Sequence, residues 1–284
     1  MGKSNSETNR TINVFRQLVM LAFLLLWGCA GRLPDTSHPE SGTYRVPTDI
    51  YFNLSNRDFL LHVPPDIAGH EPLPLVVVLH GAFSTAQQTE TETDFSNLAD
   101  REKFLVAYPE GIGIFGWLQH WNAGHCCGKA AKDDIDDMAY IATVIERIQD
   151  RFVIDPERIY MAGMSNGGMM TYRYAAERGA QLAAIAVVSA PLNSQTEEIT
   201  KPWSMPSPVA PLPVIAFHGT ADVHIPFAGG TSPLKGGSRS FSSFDEAMTF
   251  WRRAADCKDT DIISELRHGT ITRTDSLNCV DGVR

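Results

Sequence analysis

Gly163, Ser165 and Gly167 stand at the spacing Gly-x-Ser-x-Gly inside residues 161–170. The pattern follows an apolar strand-like run at 158–162 and leads into a helix-like run at 169–178. Between a strand and a helix, this spacing lifts a serine hydroxyl out of a sharp turn, and the flanking glycines keep side chains out of its way. A serine hydroxyl is a weak nucleophile until a neighbouring base takes its proton and fixed donors receive the charge that develops on the attacked carbonyl oxygen. Asp222 is the acid candidate, because it lies in the loop just past an apolar strand run at 213–218. The donors expected are the backbone N–H of Ala82 or Phe83, which follow His80-Gly81 at the end of another apolar run, together with that of Asn166. His80 precedes the serine and His218 sits on the loop that presents Asp222, so both read as loop-bracing residues rather than bases.

The elements that must position these residues alternate along the chain. Residues 44–63 read as an antiparallel hairpin turning near Ser55-Asn56-Arg57, and 74–79 as a strand buried on both faces. Phe95, Leu98 and Ala99 share one helical face, and 104–108 is the next strand. A long loop rich in glycine, aromatics and cysteine follows at 111–132, where Trp121 and Asn122 are candidates for a substrate pocket. Met138, Ile141, Ile145, Ile148 and Phe152 then recur at helical steps. Asp133, Asp134, Asp136 and Asp137 crowd the start of that helix and read as capping residues. Gly179 is placed to end the helix after the serine, 182–190 is a further strand, and 245–256 is a helix. The chain closes with hairpin-like residues 262–273 and then 278–284. Strand–helix alternation of this kind makes a parallel α/β sheet.

At 284 residues and 43% hydrophobic, the chain is long enough for one sizeable core. A net charge of −9 offers no basic face to nucleic acid. Residues 1–29 read as a signal peptide: Lys3, Arg10 and Arg16 precede a short apolar run at 18–27. It ends in Leu26-Trp27-Gly28-Cys29, which resembles a bacterial lipobox and makes Cys29 a lipidation and membrane-attachment candidate, although Trp27 stands where a small residue is usual. Residues 30–42 read as a flexible tether and 43–284 as the folded domain. Export makes Cys126, Cys127, Cys257 and Cys279 disulfide candidates. Because a bond between adjacent cysteines is disfavoured, Cys126 and Cys127 are each expected to reach Cys257 or Cys279. A metal site built from His120, His125, Cys126 and Cys127 is the rival, but consecutive residues rarely converge on one ion, so no metal and no cofactor is expected.

Several motifs in order resemble one family. Leu79-His80-Gly81, Ala99-Asp100-Arg101, Trp121-Asn122-Ala123-Gly124, Cys126-Cys127-Gly128, Asp136-Asp137, the serine motif and His218-Gly219-Thr220-Ala221-Asp222 are similar to those of the polyhydroxybutyrate-depolymerase-like esterases. That group includes lipoprotein esterases and the feruloyl and acetylxylan esterases. The resemblance implies an α/β-hydrolase fold, mostly parallel with helices on both faces, and an exported carboxylic-ester hydrolase in which Ser165 attacks and Asp222 orients a histidine. Its substrate would be a polyhydroxyalkanoate or a feruloyl or acetyl ester of the plant cell wall. The family's histidine lies in a Gly-rich loop after one further strand, beyond the part matching 278–284. The expectation is therefore a chain truncated at Arg284, lacking that strand and loop. His224 and His268 follow the acid, but the first is too close to Asp222 and the second falls in a turn. Alternatives are a non-catalytic surface lipoprotein that binds polyester or glycan, and an exported serine peptidase using the same triad.

Overall fold

The computed structural model describes residues 40–52, 55–114, 116–196, 203–232, 239–261, 271–280 and 283. The signal segment, Cys29, most of the tether and His268 lie outside the described residues. The described part opens with the expected antiparallel hairpin, β1 (Gly42–Phe52) and β2 (Ser55–Val63), in which Val46 faces Phe59. β3 (Leu73–Leu79) comes next, then α1 (Ala86–Thr93), α2 (Phe95–Glu102) and β4 (Leu105–Pro109). β2 pairs antiparallel with β4, and β3 joins β4 in parallel.

The segment expected as one long loop is more ordered than its composition suggests. It contains a small hairpin, β5 (Ile112–Ile114) and β6 (Trp117–His120), and a short helix, α3 (Gly128–Lys132). The strong helical periodicity that follows is α4 (Asp137–Gln149). Of the four aspartates before it, Asp136 is the cap, its Oδ1 accepting from Ala139 N–H at 2.9 Å. Asp137 corrects the capping expectation. It is fully buried and pairs with Arg57 Nη2 at 2.7 Å while accepting from Asn122 N–H at 2.6 Å.

The serine strand is β7 (Ile154–Met164) and its helix is α5 (Asn166–Arg178). Gly179 continues in right-handed backbone with φ −57° and opens a short 3-10 turn, so it does not end the helix in a left-handed cap. β8 (Ala184–Val188), β9 (Ser194–Thr196) and β10 (Val214–Phe217) follow. The main sheet runs β1-β2-β4-β3-β7-β8-β10, parallel from β4 onward. β10 forms its edge among the described residues, with Ile215 and Phe217 each 54% exposed. A second sheet absent from the sequence expectation sets β12 (Arg239–Phe241) between β11 (Gly230–Thr231) and β9. After α6 (Phe244–Ala254), opened by a Ser243–Glu246 capping box, β13 (Asp259–Asp261) pairs with β14 (Asp275–Leu277).

Period-two alternation divides the central strands between two cores. Leu75, Val77 and Leu79 pack into one cluster with Ile141, Met170 and Trp251, residues of α4, α5 and α6. Val78 and Val106 enter the other with Ala86 and Ala99, from α1 and α2. Helices therefore cover both faces, and each buried aliphatic side chain contributes about 1.5–3 kcal/mol relative to exposure.

The cysteine pairing differs from expectation. Cys126 bonds to Cys127, and Cys257 bonds to Cys279. The β13–β14 register decides the second pair: Asp259 faces Leu277, so two residues further out Cys257 faces Cys279, with Cα atoms 3.8 Å apart. Replacing both Cys257 and Cys279 by serine frees a loop of 22 residues. This should lower unfolding free energy by about 2–4 kcal/mol, read from the urea midpoint against the oxidised parent.

Candidate active site

The serine turn is built by backbone contact. Ser165 takes φ 54° and ψ −122°, a conformation that a non-glycine residue adopts at a cost of about 1–3 kcal/mol. Its N–H donates to Val188 O at 2.9 Å, tying the turn to the end of β8. A Cβ on Gly163 would lie 2.4 Å from Gly167 O, and one on Gly167 would lie 2.4 Å from both His80 O and Leu79 O. Both glycines are therefore needed for close approach: the first turn of α5 sits directly against the end of β3. A Cβ on Gly81 would lie 3.7 Å from Ser165 Cβ, so the loop after β3 passes over the serine.

That loop carries Ala82 and Phe83, the residues expected to share the oxyanion role with Asn166, with one correction. Phe83 N–H donates to Gln119 O at 2.8 Å, which removes it from the donor pair. Ala82, directly after Gly81, and Asn166, at the start of α5, are the remaining candidates. The N-terminal end of a 13-residue helix also places the positive end of its dipole beside the serine.

The loop is held by His80, which is 1% exposed. Its Nδ1–H donates to Gly81 O at 2.8 Å, and its Nε2 accepts from Gly111 N–H at 2.9 Å. With both ring nitrogens engaged, His80 braces the loop and has no lone pair left for a serine proton. Trp121 and Asn122, expected at a pocket, are placed otherwise. Trp121 is fully buried and donates its Nε1–H to His80 O at 2.9 Å. Its backbone N–H and C=O bond to the Asn166 side chain at 2.7 and 3.1 Å. Asn122 is 4% exposed and bonds Asp137, Ile135 O and Gly124 N–H. These residues brace the site from within the core because their polar atoms find partners there, and they offer no face to a substrate.

Asp222 lies beyond β10, at the same C-terminal end of the parallel strands as Ser165. Its Oδ1 accepts from His224 N–H at 2.8 Å and Ile225 N–H at 3.0 Å. Partial burial acts to raise its pKa, but those amides, the Ser189 hydroxyl and nearby His218 together hold it below the usual carboxylate value. Ser189 was missed by sequence reasoning. It has φ 46°, follows Val188 directly and donates its N–H to Phe217 O at 2.8 Å, and its hydroxyl acts to lower the Asp222 pKa. Val188 and Ser189 thus connect the serine turn to the acid. A polar residue closing an apolar run between the two was the available signal. His218 Nε2–H donates to Ile225 O at 2.8 Å and stands 3.6 Å from Asp222 Oδ2, which makes it a brace for the acid loop. His224 is exposed.

Burial holds the His80 imidazole neutral and lowers its pKa to about 4, against the opposing pull of its bond to Gly81 O. His125, fully buried against Ser194, is lowered to about 3, first by burial and then by Arg239 and Arg173. In the unfolded chain both return to about 6.5, so the unfolded state binds more protons below that pH. The stability held by these neutral rings is complete above about pH 6.5. It declines as pH falls toward the folded values, by at most about 1.4 kcal/mol per pH unit for each ring. Urea midpoints measured at about pH 7 and about pH 5 should show this loss, and His80→Gln should reduce the difference between them.

The family model described as "Esterase PHB depolymerase" matches residues 57–199, half of the chain. A feruloyl esterase B of Piromyces equi is 29% identical over 203 residues, covering 71% of this chain and 36% of its own length. A putative esterase, NocK, of Nocardia uniformis subsp. tsuyamanensis is 31% identical over 202 residues, covering 70% of this chain and 55% of its own. The chain thus spans a third to about half of the length of these relatives. The crystal structure of native sOPH superposes with a TM-score of 0.51 over 78% of each chain at 19% identity, a likeness of fold alone. The fold is that of the α/β-hydrolases. With the serine turn, the β3 loop and Asp100 and Asp137 all inside the matched span, the chain belongs to the PHB depolymerase esterase family.

Proposed function

We propose that this protein is a carboxylic-ester hydrolase in which Ser165 is the nucleophile. The observation that carries the reading is the strained Ser165 turn lying under the Gly81 loop and tied through Val188 and Ser189 to the Asp222 loop. Ser165 Oγ attacks the ester carbonyl. The N–H groups of Ala82 and Asn166 receive the oxyanion, and Asp222 holds a histidine in the tautomer that accepts the serine proton and returns it to the leaving alcohol. The Oδ2 atom, which the His224 and Ile225 amides leave aside, is the one that would accept from that histidine. The signal-like residues 1–29 support export, with attachment through Cys29 as its lipid-anchored form, and residues 43–284 as the catalytic domain. The names of the relatives support feruloyl, acetyl or polyhydroxyalkanoate esters as substrates.

A second reading, a non-catalytic surface protein that binds an ester polymer or glycan, is favoured by one observation. Among the described residues, His80 directs both ring nitrogens to Gly81 and Gly111, and His125 and His218 bond through one nitrogen each to Ser194 and Ile225; none of these bonds is to Ser165. Labelling with a fluorophosphonate, followed by peptide mapping, separates the two. Modification on Ser165 is expected for the hydrolase, and an unlabelled Ser165 in the folded protein favours the binding protein. Turnover of p-nitrophenyl acetate should fall by about 10⁶ in Ser165→Ala and by about tenfold, at unchanged KM, in Ser189→Ala. Retained turnover in Ser165→Ala overturns the assignment.

A further inference from the structure

A cavity of about 830 Å³ opens between the β1–β2 hairpin, the start of α1 and the β5–β6 hairpin. Asn56, Arg57, Asp58, Glu110, Trp117 and Gln119 contribute to its lining. We propose that it is a subsite for a neutral saccharide, which forms the alcohol side of the ester cleaved at Ser165. The inference rests on the ester-hydrolase reading for that last assignment alone.

Two of the lining side chains are more than nine-tenths buried yet incompletely bonded. Arg57 is 5% exposed and Gln119 is 4% exposed. Arg57 Nε and Gln119 Oε1, together with Asn56 Oδ1, have no hydrogen-bond partner among the described residues. Leaving such an atom unpaired costs about 1–3 kcal/mol, so a group that satisfies it binds with that advantage. The unpaired set contains a donor and two acceptors. A hydroxyl both donates and accepts, and a ligand carrying several hydroxyls on one rigid ring meets such a mixed set.

Charge and shape narrow the class further. Four of the five ionic groups lining the cavity are matched within the protein: Arg45 with Glu110 at 3.1 Å, Arg57 with Asp137 at 2.7 Å, and Lys129 with Asp133; burial raises the pKa of the fifth, Asp58, which favours its neutral form. A strongly charged ligand would have to break one of these pairs, whereas a neutral one leaves them intact. Trp117, 72% exposed, presents an aromatic surface, with Phe52 also in the lining. Such a surface suits the flat C–H face of a sugar ring. A polyhydroxyalkanoate fits less well. Along its length it carries carbonyl acceptors and methyl groups but no donors, so Asn56 Oδ1 and Gln119 Oε1 would stay unpaired.

The position connects the cavity to the chemistry. Gln119 O accepts from Phe83 N–H, and Ser84 bridges Gln119, so the cavity wall and the loop over Ser165 share a residue pair. Thr85, the next residue, lines the cavity and caps α1 through its hydroxyl. A sugar held there continues toward an acyl group at the serine.

The full chain is titrated with xylohexaose, cellohexaose and mannohexaose, and separately with a linear trimer of 3-hydroxybutyrate, by calorimetry and tryptophan fluorescence. At least one hexasaccharide should bind below about 10 mM and weaken about tenfold in Trp117→Ala and in Gln119→Leu. Both variants are checked for parental circular dichroism and urea midpoint. Ser165→Ala should bind the sugar as the parent does, so a failure of saccharide binding leaves the hydrolase reading standing and a failure of labelling at Ser165 leaves this one standing. No binding of any hexasaccharide overturns the proposal. So does binding indifferent to both variants, or a 3-hydroxybutyrate trimer that binds in preference to the sugars and is weakened by the same two substitutions.

Discussion

The contact on which the rest of this structure depends is between bare backbone and bare backbone, where the first turn of α5 meets the end of β3. Neither Gly163 nor Gly167 leaves room for a methyl group, and the atoms they would strike are the carbonyls of Gly167, His80 and Leu79. Backbone cannot move aside as a flexible side chain can. The contact therefore sets the serine turn, the start of the helix and the loop after β3 in one fixed relation. Preorganised donors act on a developing charge without reorganising, so a rigid relation between these three parts is what ester chemistry at Ser165 calls for.

Around that contact, buried polar groups are bonded to one another. His80 closes its loop with one nitrogen and holds Gly111 with the other, Trp121 binds His80 O, and the Asn166 amide clamps Trp121 on both sides. Asp137 ties Arg57 and Asn122 together below, and Arg173 donates to Asn122 O at 2.8 Å. A bonded network of this kind favours one arrangement, because each partner lost leaves another unpaired in low dielectric. The neutrality of His80 follows from the same burial. The ring is part of the frame, with both its nitrogens engaged there.

Residues 111–132 accordingly have two faces. The inner face, with Trp121 and Asn122, is scaffold. The outer face, with Trp117 and Leu118 exposed at 72% and 52%, is surface beside a polar cavity. Composition alone does not separate the two, since a tryptophan four residues from another can be either. The turn at Gly116 and the pairing of β5 with β6 decide which one faces inward.

The residue pattern by itself determined the alternation of strands and helices, the two-sided burial of β3, the serine turn and the candidacy of Asp222. Each is written in local periodicity or in glycines at fixed short spacing, and local sterics act over a few residues. Only the tertiary structure decided which hydrogen-bond donors near the serine are already used. Phe83 loses its N–H to Gln119, and Asn166 spends its side chain on Trp121, 45 residues away. It also decided that Ser189 supports Asp222, that Trp121 lies in the core, and that Cys257 meets Cys279 through the register of a hairpin whose legs lie outside the expected ranges. Partners this far apart in the chain are selected by packing. A polar atom's role is set by which distant group reaches it first, and no short-range pattern records that.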